Sequence, residues 1–116
     1  MIDCMVIGDS IAVGIAMFRP ECVSYSRGGW NSWQWNRDYL NIASNKNYKT
    51  IIISLGANDS PDQMTYENLQ KLRAKIVAER VYWILPAIKD RVRKQVWMVA
   101  HENNDIVIDA RGVPIS

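Results

Sequence analysis

The sequence carries a single histidine, a single phenylalanine and only two cysteines among 116 residues. No apolar run approaches the ~18 residues of a membrane span, so no spanning helix is expected. Met1-Ile2-Asp3-Cys4 has neither the basic start nor the small-residue cleavage site of a secretory leader, which reads as a cytoplasmic protein. Cys4 and Cys22 fit no metal-ligand spacing, and both fall in or beside predicted strands, where buried reduced thiols are expected. A net charge of +2 is too small to argue for nucleic acid, and the basic residues between Lys89 and Lys94 read as one solvated helix face. Internal repeats, low-complexity segments and linkers are missing as well. There is no Gly-Xaa-Gly-Xaa-Xaa-Gly and no Walker lysine after the first strand, which argues against a nucleotide or flavin domain. Asp9 alone does not make the acidic cluster of a phosphorylatable receiver. Neither a cofactor nor a metal is implied.

What is present is a regular alternation along one domain, residues 1–116. Met1–Ile7 is a short apolar strand, and Ser10–Met17 reads as helix ending before Arg19-Pro20. Cys22–Ser26 is a second strand, followed by an Arg27-Gly28-Gly29 turn and a helix capped by Asn31 or Ser32 that runs to about Ser44. Thr50–Leu55 is a β-branched run of the kind covered on both faces. Asp59, Ser60 or Asp62 is expected to cap the next helix, which carries Leu69, Leu72 and Ile76 on one side. Arg80–Leu85 is a fourth strand stopped by Pro86. Ile88, Val92, Val96 and Val99 make the apolar seam of the following helix, and Asp105–Ala110 is a fifth strand. Five strands separated by helices predict an α/β, three-layer, doubly wound parallel sheet in the flavodoxin-like order 2-1-3-4-5.

In that order strands one and three are neighbours and mark the switch point where ligands bind. Ser10 follows strand one, Gly29 follows strand two and Asn58 follows strand three, so all three are expected in one crevice. Ser10 is a hydroxyl nucleophile at a positive helix end, and Asn58 offers a side-chain amide to a developing oxyanion. Glycine at 29 lets a substrate approach the backbone closely.

Gly8-Asp9-Ser10, Gly29 and Gly56-Ala57-Asn58-Asp59 together resemble the blocks of the SGNH hydrolases, the GDSL-type esterases and lipases. Tyr82-Trp83-Ile84-Leu85-Pro86 is similar to the strand and proline that usually follow. The resemblance covers essentially the whole chain and implies Ser10 as nucleophile, with the Gly29 N–H and the Asn58 amide as oxyanion donors. It implies a serine esterase acting on small acyl or carbohydrate O-acyl esters. Trp30 is a candidate substrate-side aromatic, with Trp33 and Trp35 either beside it or packing their helix onto the sheet. Asp9 and Asp59 are candidates for substrate contact, although holding their loops by side-chain to backbone bonds is the plainer role for both.

The sequence departs from that family in one respect. Its Asp-Xaa-Xaa-His block after the fifth strand, which supplies the general base, has no counterpart, and the sequence stops where it is expected. Truncation, a remnant kept for binding, or completion by another chain would each account for this. His101 falls on the outer face of its helix beside Trp97, away from the valine seam. Asp109, at the end of strand five, is the nearest alternative base but is poorly matched in pKa to a serine hydroxyl. A catalytically impaired small-ligand binding or interaction module is therefore the competing function. With no helix after strand five to cover the sheet beside the first, and Trp97 facing outward, a homo-oligomer is expected.

Overall fold

The computed structural model describes residues 1–109. Five strands, β1 (Ile2–Gly8), β2 (Val23–Ser26), β3 (Asn47–Ser54), β4 (Val77–Leu85) and β5 (Ile106–Asp109), form one parallel sheet in the order β2-β1-β3-β4-β5. Helices α1 (Ser10–Phe18), α2 (Ser32–Ala43), α3 (Thr65–Lys75) and α4 (Asp90–Glu102) make the crossovers. The predicted doubly wound topology is the one observed. Ala110, expected to close the fifth strand, lies outside the described residues together with 111–116.

Alternation sorts the central strands into two faces. Met5, Ile7, Ile51, Ile53, Val81 and Trp83 face α2, α3 and α4 in one continuous core. Leu69 and Leu72 of α3 and Val92, Val96 and Val99 of α4 close over them. Each such leucine, fully withdrawn from water, contributes about 2 kcal/mol. On the other face Cys4, Val6 and Cys22 pack beneath Ala12, Ile15 and Ala16 of α1, a much smaller cluster.

Two boundaries differ from the sequence reading for identifiable reasons. Ile88 is 65% exposed and precedes α4 rather than joining its seam. The cause is Lys89, whose left-handed backbone (φ 65°) cannot extend the helix backwards. Helix α3 begins only at Thr65, with Met64 at the cap position and no side-chain cap bond. Ser60 and Gln63 instead close a turn of their own, the Gln63 N–H donating to the Ser60 carbonyl and the Ser60 N–H to Gln63 Oε1.

The cysteines are a correction. Cys4 and Cys22 are joined in a disulfide, not held as reduced thiols. The β1–β2 register sets Met5 opposite Val23, which brings the two preceding Cα atoms to 4.7 Å, within bridging range. Disulfides of this kind persist in oxidising compartments.

Candidate active site

The turn after β1 is built around Gly8, whose φ of +138° already favours glycine. A Cβ there would meet the Ser54 carbonyl oxygen at 1.8 Å, so no other residue fits. The close approach lets the Asp9 N–H donate to that same oxygen at 2.9 Å. Asp9 then caps α1 by accepting from the Ile11 N–H at 3.0 Å, and it accepts from the Ser54 hydroxyl at 3.1 Å. Its other oxygen, Oδ2, is buried without a partner. Burial pushes the Asp9 carboxyl above the usual carboxylate range, against the pull of those hydrogen bonds. Ser10 follows as the first residue of α1, exposed at the positive end of the helix dipole.

The turn after β3 repeats the device. Gly56 has φ +111°, and a Cβ would lie 2.7 Å from a Val92 methyl. Asp59 donates its N–H back to the Gly56 carbonyl at 3.0 Å. Its carboxylate is buried and takes three protein donors: the Ser32 N–H at 2.8 Å, the Ser32 hydroxyl at 2.6 Å and the Thr65 hydroxyl at 2.7 Å. Placed at the N-terminus of α2, this negative charge meets a favourable dipole. Asp59 thus ties the β3 turn to the first residues of α2 and α3, and Asn58 before it stands exposed.

The loop between β2 and α2 touches both turns. Its Arg27 N–H donates to the Gly8 carbonyl at 2.9 Å, and a Cβ on Gly28 would lie 3.9 Å from Ser10 Cβ. At its far end the Trp30 carbonyl accepts from Asn58 Nδ2 at 3.0 Å. An amide nitrogen has two hydrogens, so this bond orients Asn58 and leaves a second donor. Gly29 lies between these contacts, exposed and at φ +79° with open space where a Cβ would stand. A reciprocal Asn31–Gln34 capping box then starts α2.

No family model matches the chain, and no curated protein matches it either. Solved structures do. A GDSL-like lipase from Bacteroides thetaiotaomicron superposes with a TM-score of 0.64 at 16% identity, over 93% of this chain and 68% of that one. The C-terminal catalytic domain of peptidoglycan O-acetyltransferase A from Streptococcus pneumoniae, solved with a methylsulfonyl adduct, gives 0.62 at 18% identity over 93% and 69%. An acetylxylan esterase from Geobacillus stearothermophilus gives 0.57 at 15% identity over 92% and 75%. The chain has the SGNH-hydrolase fold.

Within that fold the remaining candidates sort by position. Trp30 is half-buried against Tyr39, with the Arg27 guanidinium 5.1 Å and that of Arg37 6.0 Å from its ring centre. Trp33 is 53% exposed beneath Arg37. It is Trp35, fully buried and donating Nε1–H to the Tyr25 carbonyl at 2.7 Å, that packs α2 onto the sheet. Asp9 and Asp59 are each 1% exposed, their oxygens turned to protein donors or buried, so both hold their loops from beneath the crevice.

Both alternative bases are engaged by other side chains. His101 lies in the last turn of α4, eleven residues beyond Asp90, and therefore about 17 Å along the helix from the sheet edge that carries Ser10. Its ring stacks flat on Trp97, with centres 4.8 Å apart. Asp109 is gripped by the buried Arg93 guanidinium, Nη1 to Oδ1 at 3.0 Å and Nη2 to Oδ2 at 2.8 Å, and Arg93 also donates to the Pro86 carbonyl at 2.6 Å. The forked Asp109 carboxylate in turn holds the Arg93 guanidinium above its usual range, chiefly through these hydrogen bonds. Sequence reasoning missed this role of Arg93, since nothing local to an arginine on a helix announces a partner sixteen residues away.

Proposed function

We propose that this chain is a serine acyl hydrolase of the SGNH type, acting on small acyl or carbohydrate O-acyl esters. In this reading Ser10 Oγ attacks the ester carbonyl and forms the acyl–oxygen bond while its proton passes to water, which returns one to the departing alcohol. The carbonyl oxygen gains charge and is held by the Ser10 N–H, the Gly29 N–H and the free N–H of Asn58. Collapse expels the alcohol, and water then releases the acid from the acyl-serine. Removing one such donor typically costs about 3 kcal/mol of transition-state stabilisation. The observation that supports this reading is the single loop, 27–31, bonded to the Gly8 carbonyl two residues before Ser10 at one end and to the Asn58 amide at the other.

A second reading draws on the placement of His101 and Asp109. With both held away from base duty, the crevice would acylate slowly and turn over more slowly still, and it would serve chiefly as a binding site for a small acylated ligand. Serine with an oxyanion hole but no base keeps only a small remainder of the usual advantage.

A sulfonyl fluoride tests the first reading directly: an Oγ–S bond forms, the S–F bond breaks and the hydroxyl proton passes to water. Intact-mass and peptide mapping should find one sulfonyl group on Ser10 and none in Ser10→Ala. Turnover of p-nitrophenyl acetate should follow Ser10 but run orders of magnitude below that of a serine esterase with a histidine base. An unmodified Ser10 after prolonged exposure sinks the hydrolase reading. A burst of one equivalent with no turnover favours the binding module.

A further inference from the structure

Lys89 stands at the sheet edge immediately before α4, with φ 65° and ψ 80°. A lysine holds that left-handed conformation only when its surroundings require it. What its side chain does there is specific. The ammonium donates to the carbonyl of Ala57 at 2.7 Å and to the carbonyl of Asp59 at 3.1 Å. These are the residues on either side of Asn58. One cation thus grips the backbone just before and just after the exposed amide, from the β4 side, while the Trp30 carbonyl holds the amide itself from the β2 side.

We propose that Lys89 is a positioning residue for Asn58, fixing the Ala57–Asp59 segment so that the free amide N–H stays aimed into the crevice. The inference rests on Asn58 acting as an oxyanion donor. Its physical basis is preorganisation: a donor helps the transition state only if it is already in place when charge develops. Asn58 is exposed and gains no rigidity from packing, so its placement depends on the backbone beneath it. Polarising the Ala57 carbonyl also strengthens the N–H of the same peptide group, which belongs to Asn58. The neighbouring tie, from Arg91 Nη2 in the first turn of α4 to the Ser60 carbonyl at 3.2 Å, fastens the same region without touching the carbonyls that flank Asn58. It is the natural control.

The test uses the full chain and four variants: Lys89→Gly, Lys89→Met, Lys89→Arg and Arg91→Met. Two readouts are taken, the rate of Ser10 sulfonylation and the side-chain amide resonances of Asn58. Glycine accepts a positive φ freely, so Lys89→Gly removes the ammonium while relieving the backbone, and its thermal midpoint should not fall. Sulfonylation should nevertheless slow by roughly tenfold to a hundredfold, the order expected when a reacting group is misplaced by about an ångström. Lys89→Met should slow it likewise, Lys89→Arg should restore most of the rate, and Arg91→Met should leave it unchanged. The Asn58 amide signals should move towards those of a freely exposed amide in the glycine and methionine variants only. Wild-type labelling rates in both of those variants, or unmoved Asn58 signals, would overturn the proposal. Should wild-type Ser10 itself fail to react, the hydrolase reading falls, and the amide resonances still decide whether Lys89 positions Asn58.

Discussion

The two faces of the sheet are covered very differently. On one, α2, α3 and α4 seal Tyr48, Ile51 and Trp83 to 1% exposure or less. On the other, α1 buries Cys4 and Val6 and reaches little further. Beyond it a cleft of about 360 Å³ opens over Thr50, Ile52, Arg80, Tyr82 and Ile108, with Arg19 at its rim. Met17 and Phe18, at the end of α1, are 77% and 87% exposed beside it. The candidate site straddles this divide. Asn58 rests on the sealed side, through Asp59 and its three donors. Ser10 begins α1, the one helix on the open side among the described residues, whose only fully buried residue is Ala12. Stability is thus concentrated on one face, and the nucleophile is carried by the other.

One substitution on each face should make that contrast measurable. Trp83→Ala empties a fully buried volume on the sealed face and should cost roughly 3–5 kcal/mol in urea unfolding. Ile108→Glu, on the open face, should cost under about 1 kcal/mol. The same glutamate should dissolve any association through the cleft. The homo-oligomer expected from the sequence would use this face, and a 13.3 kDa monomer of the wild-type chain at tens of micromolar in sedimentation equilibrium would remove that expectation. Equal losses at the two positions would erase the distinction between sealed and open faces.

The next effect is covalent. The Cys4–Cys22 disulfide lies under α1 and closes a separation of 18 residues. Replacing both cysteines by serine should lower stability by about 3 kcal/mol, read as a shift in the urea midpoint. A loss as small as that of a surface substitution would mean that packing alone secures the thin face.

The smallest effect concerns Asp9, between the two faces. Its folded-state pKa is raised, so the native state binds a proton more tightly than the unfolded chain does. Stability contributed by this group is therefore present at low pH and is lost as pH climbs from about 4 through the folded pKa. Asp9→Asn keeps a capping oxygen and abolishes the titration. The difference in unfolding free energy between wild type and Asp9→Asn should accordingly move in favour of the variant from pH 3.5 to pH 7, by an amount set by the upward shift. A difference independent of pH would show that burial leaves this carboxyl unperturbed.

The strand order and the meeting of the β1 and β3 turns were legible because apolar runs alternate with helical periodicity and end in glycine turns. The contacts that fasten those turns were not. The disulfide becomes visible only once the β1–β2 register is known. Asp59 reads as a helix cap next to its own sequence, yet it reaches back 27 residues to Ser32. Lys89 looked like part of a solvated basic face, and its left-handed backbone, which also displaced Ile88 from α4, has no local signature in a lysine. In each case the missing information was long-range geometry rather than composition.

Gly8 and Gly56 bear on how such sequences are recognised at all. Neither can accept a side chain, because a carbonyl in one case and a Val92 methyl in the other already occupies the space. Asp9 and Asp59 are likewise engaged in holding the turns together. Most letters of the two short motifs therefore report that the sheet edge is correctly built, and only Ser10 and Asn58 are fully exposed. A descendant that had lost all chemistry would have to keep the glycines to fold, and would still be retrieved by those motifs. For proteins of this architecture, evidence of activity has to come from the two exposed letters and from whatever base is brought to them.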